Sequence, residues 1–554
     1  MTTVKQVCLG VAVAGAVAGA GSVIAAATAT ADASDSGSGA ASSSSSHKAG
    51  PQKSSATTAK PGTAAPSSKI FTTKTIRPAP RRSAPAGGQP VLKSLATTSS
   101  PAGINATFDL AAPATAPASA TPTGLLTPAR IHAARTAAAV AAAQAVDPTQ
   151  QHVLVIGVDG TNLGRILSNP ANQNFFELMD EGTTAASTIV GHTTISNPSW
   201  TAILTGVWDT KSGVVNNVFT PATYDSWPTV FNQLEGFDPN IETKSIADWD
   251  VISDIAGAGS IPVDQNIYIS QVAGDTNWSL TDRAVTDETI NSLQGTAGDV
   301  PNFMFTYLVQ VDENGHMYGG ASPEYAAAIE RTDTNIGLIM DAVKARELAT
   351  GEDWTVIVVT DHGHQPQQGF GHGFQSPDET STFVIAEGSD FAAGQINTQY
   401  SIVDVTPTVV TLFGSTPTSD ADGVSLTTLG QSQVDPVNLH QALNDLIDLN
   451  GYPDIATDIT LAVRTIFGAI PYYVNIFAND ITAALQSIAN QGIPLVSALA
   501  TVAVIPVQFV GDALFVVTQA LAEVVGRLTG AGVIPPSMST VQQAAILPKA
   551  SVLV

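Results

Sequence analysis

The sequence predicts an α/β fold: an αβα sandwich around a mainly parallel central sheet. Val153–Val158 is a continuous apolar run, as expected of a strand that is buried on both faces. Similar runs recur at Phe303–Val311 and Thr355–Thr360. Segments with helical periodicity separate these runs, and such alternation between residues 152 and 430 is typical of a parallel sheet covered by helices.

Weaker elements complete this pattern. Further parallel strands are expected near Thr184–Val190, Thr243–Ile246 and Thr382–Ala386. A helix is expected to begin at Ser322-Pro323, because serine caps helices and proline fits their first turn, and to reach about residue 348.

Composition divides the chain into four segments. Residues 1–33 are predicted to be a secretory signal peptide, because Lys5 precedes an apolar run that ends in small residues. Residues 34–148 are rich in Ser, Ala, Thr and Pro and predict a disordered or extended linker. Residues 149–434 form the α/β domain, and residues 435–554 form an apolar helical region of unknown role. We therefore expect a secreted or cell-envelope-associated protein.

Cys8 is the only cysteine and lies within the predicted signal peptide. An exported chain would therefore contain no disulfide and no thiolate metal site.

The C-terminal region is poor in charge. Residues 440–530 contain long apolar helical stretches, and Ile481–Gly511 contains no charged residue. Pro494 and Pro506 interrupt this run, so a buried helical bundle or a surface-docking module is favoured over a transmembrane helix. Association with a membrane or the cell envelope through this region stays open.

Charge is distributed unevenly along the chain. The formal net charge is -25. Residues 1–150 contain more basic than acidic residues, so the acidic excess lies in the remainder. A strongly acidic domain repels nucleic acid, so binding to a nucleic acid duplex is not expected. A small phosphoester substrate is compatible with this charge if bound cations dominate the local potential.

Three predicted strands are followed by side chains that bind metals. The carboxyl ends of parallel strands meet at one crevice, where ligands bind. Three carboxylates and three imidazoles there are enough to hold two zinc-like ions with open positions for a substrate. The candidate ligands are Asp159, Asp312 with His316, and Asp361 with His362 and His372.

A candidate nucleophile lies in the segment Thr194–Trp200. Ser196 is expected just before the N-terminus of an apolar helix, Thr201–Gly206, with Pro198 near its first position. Helix N-termini stabilise anions, and coordination to a metal lowers the pKa of a hydroxyl group. The pattern alone is more typical of a serine that only caps the helix.

Four motifs in this order resemble those of the alkaline phosphatase superfamily, most closely its type I phosphodiesterase and nucleotide pyrophosphatase branch. The resemblance covers residues 152–430, about half of the chain. The motifs are Val158-Asp159-Gly160, Ser196-Asn197-Pro198, Asp312-x-x-Gly315-His316, and Asp361-His362-Gly363 with Gly371-His372-Gly373.

The resemblance implies a role for each motif residue. One zinc ion would be held by Asp312, His316 and His372, and a second by Asp159, Asp361, His362 and the Ser196 hydroxyl group. Asn217 stands at the spacing of the asparagine that holds a phosphoryl oxygen in this branch. His372 is preferred to the later His440, and His364 receives no role.

The implied activity is metal-dependent hydrolysis of a phosphoester through a phosphoryl-serine, with phosphodiesters or nucleotide pyrophosphates favoured. Phosphomonoesterase and phosphonate hydrolase activity are alternatives within the superfamily. A sulfatase is disfavoured, because Trp200 stands where the sulfatase motif requires arginine. A secreted binding protein without catalysis is disfavoured because a full ligand set is present.

Overall fold

The computed structural model describes residues 147–295, 300–369, 371–429, 438–491 and 493–534. The predicted signal peptide lies outside the described residues. So does the predicted linker, except for its last two residues.

One eight-stranded sheet forms the centre of the fold. Its order is β4-β3-β5-β1-β6-β7-β2-β8. The strands are β1 (His152–Val158), β2 (Thr183–Thr188), β3 (Thr243–Ala247), β4 (Gln265–Tyr268), β5 (Phe303–Leu308), β6 (Trp354–Val359), β7 (Ser381–Glu387) and β8 (Gln395–Ile396).

Fourteen α-helices lie within the described residues, together with short 3-10 helices at Pro148–Gln150, Pro221–Asp225, Ile402–Asp404 and Leu426–Thr428. The α-helices are α1 (Leu163–Ser168), α2 (Gln173–Glu181), α3 (Ser196–Thr205), α4 (Asp209–Ser212), α5 (Val230–Phe237), α6 (Asp250–Ala256), α7 (Ser279–Leu293), α8 (Gln310–Tyr318), α9 (Pro323–Thr350), α10 (Pro377–Thr380), α11 (Val405–Leu412), α12 (Leu439–Asn450), α13 (Ile455–Ala489) and α14 (Pro494–Leu528).

The predicted α/β fold with a mainly parallel sheet is confirmed. Strand β1 is buried along its whole length. Its side chains alternate between two hydrophobic clusters: Val153 and Val155 belong to one, and Leu154 and Ile156 to the other. The helix predicted after Ser322 is confirmed as α9, and the Ser322 side chain accepts a hydrogen bond from the Tyr325 amide at 3.1 Å.

The prediction that the strand near Thr382–Ala386 is parallel was wrong. Strand β7 pairs antiparallel with both β6 and β2. Among the described residues between β6 and β7, the four-residue helix α10 is the only helix. A parallel pair requires a long crossover, usually containing a helix, whereas a chain that turns back at the same end gives an antiparallel pair.

The predicted strand Phe303–Val311 was too long. Strand β5 ends at Leu308, and Asp312 therefore lies in the first turn of α8 rather than at the end of a strand. The buried Asp282 carboxylate accepts hydrogen bonds from the amides of Val309 and Gln310, at 3.2 and 3.1 Å. This interaction satisfies amides that a helix N-terminus leaves unpaired, so the helix begins there.

Helices α13 and α14 form an antiparallel hairpin, in which Gly511 packs against Ala478. The helices predicted for this region are confirmed, but many of their apolar side chains are exposed, so the hairpin is not a buried bundle. Both helices are long and apolar enough to cross a membrane.

Candidate active site

The sheet order brings the candidate ligands together. Strand β1 lies between β5 and β6, and the three run parallel. Asp159 directly follows β1, and Asp361 follows β6 after one residue. The Gly160 amide donates a hydrogen bond to Asp361 Oδ1 at 3.1 Å, which joins the two strand ends.

The first cluster consists of Asp159, Asp361 and His362, all buried. His362 Nε2 lies 3.2 Å from Asp361 Oδ2 and 3.6 Å from Asp159 Oδ1. His362 Nδ1 is 2.9 Å from the Gly363 carbonyl oxygen, which can only accept, so Nδ1 carries the proton. In the neutral ring, Nε2 then presents a lone pair towards the two carboxylates.

The second cluster surrounds Asp312. The Asp312 carboxylate lies 3.1 Å from His316 Nε2 and 3.6 Å from His372 Nε2. Asp312 and His316 are four residues apart in α8, which places them on one helix face. His372 Nδ1 donates to the Thr194 carbonyl oxygen at 2.7 Å, which directs its Nε2 to within 3.1 Å of His316 Nε2.

His364, which received no role in the sequence analysis, also lies beside Asp312. Its Nε2 is 3.7 Å from Asp312 Oδ1 and has no hydrogen-bond partner among the described residues. Burial lowers the pKa of His364 to about 3, with a smaller contribution from His316. The Asp312 cluster thus offers one more imidazole than the motifs assign.

Ser196 lies at the N-terminus of a helix beside the first cluster. It is the first residue of α3, which begins earlier than the expected Thr201, and it is buried. Ser196 Oγ lies 3.2 Å from His362 Nε2. The candidate nucleophile therefore stands beside the first cluster and at a helix N-terminus, where the backbone amides favour a bound anion.

Asn217 reaches the same helix N-terminus. Its Oδ1 accepts a hydrogen bond from the Asn197 amide at 3.0 Å. This contact uses the carbonyl oxygen of the side chain, so the NH2 group stays available as a donor. The Asn197 side chain donates to the Asn216 carbonyl oxygen at 2.8 Å, which holds the two segments together.

These side chains fit divalent cations. Asp159 Oδ1, Asp312 Oδ1 and Asp361 Oδ2 are buried and have no hydrogen-bond partner within the described part of the chain. Burial, together with the charge of Asp312, raises the pKa of Asp159 to about 8, and burial beside Asp159 raises that of Asp361 well above its usual range. A cation between these groups relieves their repulsion, and this donor set of carboxylates and imidazoles suits zinc.

Gly160, the glycine of the first motif, is needed because α8 packs close to its backbone. Gly160 has a φ of +60°, which L side chains rarely adopt. A Cβ atom added there would lie 2.5 Å from Asp312 Oδ1 and 2.8 Å from Asp312 Cα. Glycine therefore lets the two acidic segments approach each other.

The structure adds three side chains that the motifs do not reveal. Trp200 Nε1 donates to Asp159 Oδ2 at 2.8 Å, and the Tyr307 hydroxyl group donates to the same oxygen. Asp248 directly follows β3, and neither of its buried carboxylate oxygens has a hydrogen-bond partner among the described residues. Asp248 could have been found by the strand-end rule that identified Asp159, whereas Trp200 and Tyr307 carry no such signal.

Comparison with known proteins shows which family model the α/β domain matches. Residues 153–408 match the family model described as "Type I phosphodiesterase / nucleotide pyrophosphatase". The resemblance inferred from the four motifs is thereby confirmed.

Curated relatives match over part of the chain. An uncharacterized pyrophosphatase/phosphodiesterase of Schizosaccharomyces pombe is 25% identical over 228 residues, which cover 39% of this chain and 45% of the relative. Human ectonucleotide pyrophosphatase/phosphodiesterase family member 1 is 37% identical over 71 residues, which cover 13% of this chain and 8% of the relative. The chain thus spans less than half the length of either relative.

Solved structures also superpose on this chain. Murine ectonucleotide pyrophosphatase/phosphodiesterase 5, in complex with AMP, gives a TM-score of 0.40 at 14% identity and covers 48% of this chain and 96% of its own. A 2-O GAG sulfatase gives a TM-score of 0.40 at 13% identity and covers 52% of this chain and 76% of its own.

Proposed function

Residues 153–408 match the type I phosphodiesterase and nucleotide pyrophosphatase family, and from this premise we propose that the protein hydrolyses phosphodiester or nucleotide pyrophosphate bonds with Ser196 as the nucleophile. The observation that carries the proposal is the position of Ser196 Oγ, 3.2 Å from His362 Nε2 at the N-terminus of α3. A hydroxyl group beside carboxylates and an imidazole is the arrangement that metal-assisted phosphoryl transfer requires.

Two divalent ions, which we propose to be zinc, would be held by the two clusters. The chemistry they supply is a lower pKa for the coordinated Ser196 hydroxyl group and neutralisation of charge on the leaving oxygen. One ion would be held by Asp159, Asp361, His362 and the Ser196 hydroxyl group. The other would be held by Asp312, His316 and His372, and His364 is available as a further ligand.

The chain's own groups then carry out two displacements. Ser196 Oγ attacks phosphorus, the bond to the leaving oxygen breaks, and a phosphoryl-serine forms. Water attacks this ester from the side that the leaving group has vacated, which releases phosphate or a phosphomonoester and restores Ser196. The Asn217 NH2 group and the amides at the N-terminus of α3 donate hydrogen bonds to the phosphoryl oxygens as charge develops.

The small number of basic side chains near Ser196 in the sequence favours phosphodiesters over phosphomonoesters as substrates. A dianionic monoester is usually clamped by a positively charged side chain. After Ser196 the next basic residue is Lys211, and its ammonium group pairs with Asp422 at 2.7 Å. Phosphomonoesterase and phosphonate hydrolase activity remain the alternatives that substrate comparison has to separate.

The test is the hydrolysis of bis-p-nitrophenyl phosphate by the purified chain. We expect activity that disappears with a chelator and returns with zinc. Ser196→Ala should lower kcat by at least about 1000-fold, because the attacking atom is lost. Ser199→Ala, which removes a buried hydroxyl group from the same helix, is the matched control.

Two results would contradict the proposal. Full activity after complete removal of metal would exclude the metal-dependent mechanism, and an unchanged rate in Ser196→Ala would exclude this nucleophile. Parallel rates with p-nitrophenyl phosphate, a nucleotide pyrophosphate and a phosphonate monoester assign the substrate class, and a chain inactive on all of these would leave a binding function.

We also propose that the protein is exported and contacts a membrane through its C-terminal hairpin. The support is the predicted signal peptide in residues 1–33 and the exposed apolar surface of α13 and α14. N-terminal sequencing of the protein recovered from outside the cell tests export, since a chain that retains Met1 and stays inside would contradict it.

A further inference from the structure

The C-terminal hairpin reaches the active site through Arg464, in the third turn of α13. Its guanidinium group is almost fully buried and donates to Asp209 Oδ2 at 2.5 Å and to Thr193 Oγ1 at 3.2 Å. The same group donates to Thr529 Oγ1 at 3.0 Å and to the Thr529 carbonyl oxygen, beyond the end of α14. One side chain therefore ties both arms of the hairpin to the α/β domain.

Two partners of Arg464 contact each other, and one of them, Thr193, lies in the segment that precedes Ser196. Asp209 Oδ2 accepts hydrogen bonds from the Thr193 amide at 3.2 Å and from its hydroxyl group at 2.6 Å. Burial alone would raise the pKa of Asp209, but His192 and Arg464 outweigh it and lower the pKa to about 2. Arg464 of the hairpin thus holds the ionised Asp209 carboxylate against Thr193, three residues before Ser196.

The next residue of the hairpin contacts the loop of the other cluster. Thr465 Oγ1 donates to the Gly373 carbonyl oxygen at 2.5 Å. Gly373 directly follows His372, and its amide donates to Thr194 Oγ1 at 3.1 Å. Thr465 therefore restrains the loop that positions His372.

A third contact approaches the candidate phosphoryl-binding residue. One turn after Arg464, the Gly468 carbonyl oxygen accepts a hydrogen bond from Asn216 Nδ2 at 2.8 Å. Asn216 precedes Asn217, which contacts the N-terminus of α3. Three positions within five residues of α13 thus contact the segments that carry Ser196, His372 and Asn217.

From these contacts we infer that the base of the C-terminal hairpin is part of the active site, with Arg464 and Thr465 as positioning residues for Ser196 and His372. The inference rests on the proposed function. Neither residue touches the reacting groups, so their effect is on geometry: a displacement of about 1 Å in a catalytic group can cost about 100-fold in rate.

The test uses full-length variants at Arg464. We expect Arg464→Gln to lower kcat by about 10- to 100-fold with little change in KM, because orientation rather than substrate contact is lost. Arg464→Lys keeps the charge and should recover part of the rate. Arg527→Gln removes an exposed arginine from the same hairpin and should retain full activity, and thermal melting of each variant verifies folding.

A double-mutant cycle with Asp209→Asn separates positioning from general destabilisation. If Arg464 acts through Asp209, the double variant should lose little more activity than Arg464→Gln alone. The inference for Arg464 would be overturned if the kcat losses of the two single variants multiplied in the double variant. It would also be overturned if Arg464→Gln folded and kept the wild-type kcat.

Thr465→Val is the second, nearly isosteric variant. It removes one hydroxyl group and should weaken zinc binding several-fold in a competition titration with a chromogenic chelator. Unchanged zinc affinity and unchanged kcat would overturn the role of Thr465. If the wild-type chain hydrolysed no phosphoester, the proposed function would fail, whereas zinc affinity would still report whether the hairpin orders the site.

Discussion

At the scale of single residues, the candidate metal ligands are oriented by hydrogen bonds from side chains distant in sequence. Asp159 Oδ2 accepts from Trp200 Nε1 and from the Tyr307 hydroxyl group, which leaves Oδ1 to face His362. Such outer contacts fix the direction of a ligand and raise metal affinity. They also explain why Trp200 is fully buried in a helix that begins with the nucleophile.

Trp200→Phe isolates the indole hydrogen bond. The ring still fills the core, but Asp159 loses a donor, so we expect zinc affinity to fall by about 10- to 100-fold. The measurement is competition with a chromogenic chelator. Trp354→Phe is the matched control, because it also removes a buried indole donor, whose partner is Glu352. Equal zinc affinity in both variants would contradict the role of Trp200.

The sequence revealed the candidate metal ligands but not the side chains that hold these ligands in position. Asp159 and Asp361 could be predicted because each follows an apolar strand within two residues, which is a local pattern. Trp200, Tyr307 and Arg464 act on partners at least 40 positions away, and no local pattern encodes such a pairing. The first residues of α8 were assigned to a strand for the same reason, because the start of this helix depends on Asp282.

At the scale of elements, the site depends on the close approach of α8 to the end of β1. Asp312 and His316 are presented by α8, whereas Asp159 belongs to the end of the strand. The two elements meet at Gly160, where a Cβ atom would overlap with both the side chain and the backbone of Asp312. The close approach of the two clusters therefore depends on a residue that has no side chain to offer a metal.

Gly160→Ala tests this contact. Alanine at a φ of +60° costs about 1–2 kcal/mol, and its methyl group must displace Asp312 as well. We expect a lower melting temperature together with at least a 10-fold loss of zinc affinity and kcat. Gly351→Ala is the control, because Gly351 has a φ of +77° and a Cβ atom there meets nothing within 4 Å. Equal zinc affinity in the two variants would exclude a specific effect at Asp312.

At the scale of the whole molecule, the hairpin has two parts that differ in their contacts and in their charge. The half that contains Arg464 packs on the α/β domain, whereas the stretch Ile481–Gly511 is uncharged and bounded by Asp480 and Asp512. At 1.5 Å per residue, the part of α14 in this stretch extends about 27 Å, close to the ~30 Å of a bilayer's hydrocarbon core. The chain as a whole is strongly acidic, and this uncharged stretch is the surface for which we propose the membrane contact.

We therefore expect the full-length protein to co-sediment with phosphatidylcholine vesicles, and less strongly when anionic lipid is included, because the protein is acidic. Phe509→Asp places a charge on the exposed apolar face of α14 and should weaken binding by more than 10-fold, since a charged side chain in lipid costs about 2.5–3.5 kcal/mol. Leu348→Asp changes an exposed leucine of the α/β domain and should bind like the wild type. Equal binding by both variants would show that α14 does not enter the lipid, and a wild-type chain that stays in the supernatant would exclude the membrane contact altogether.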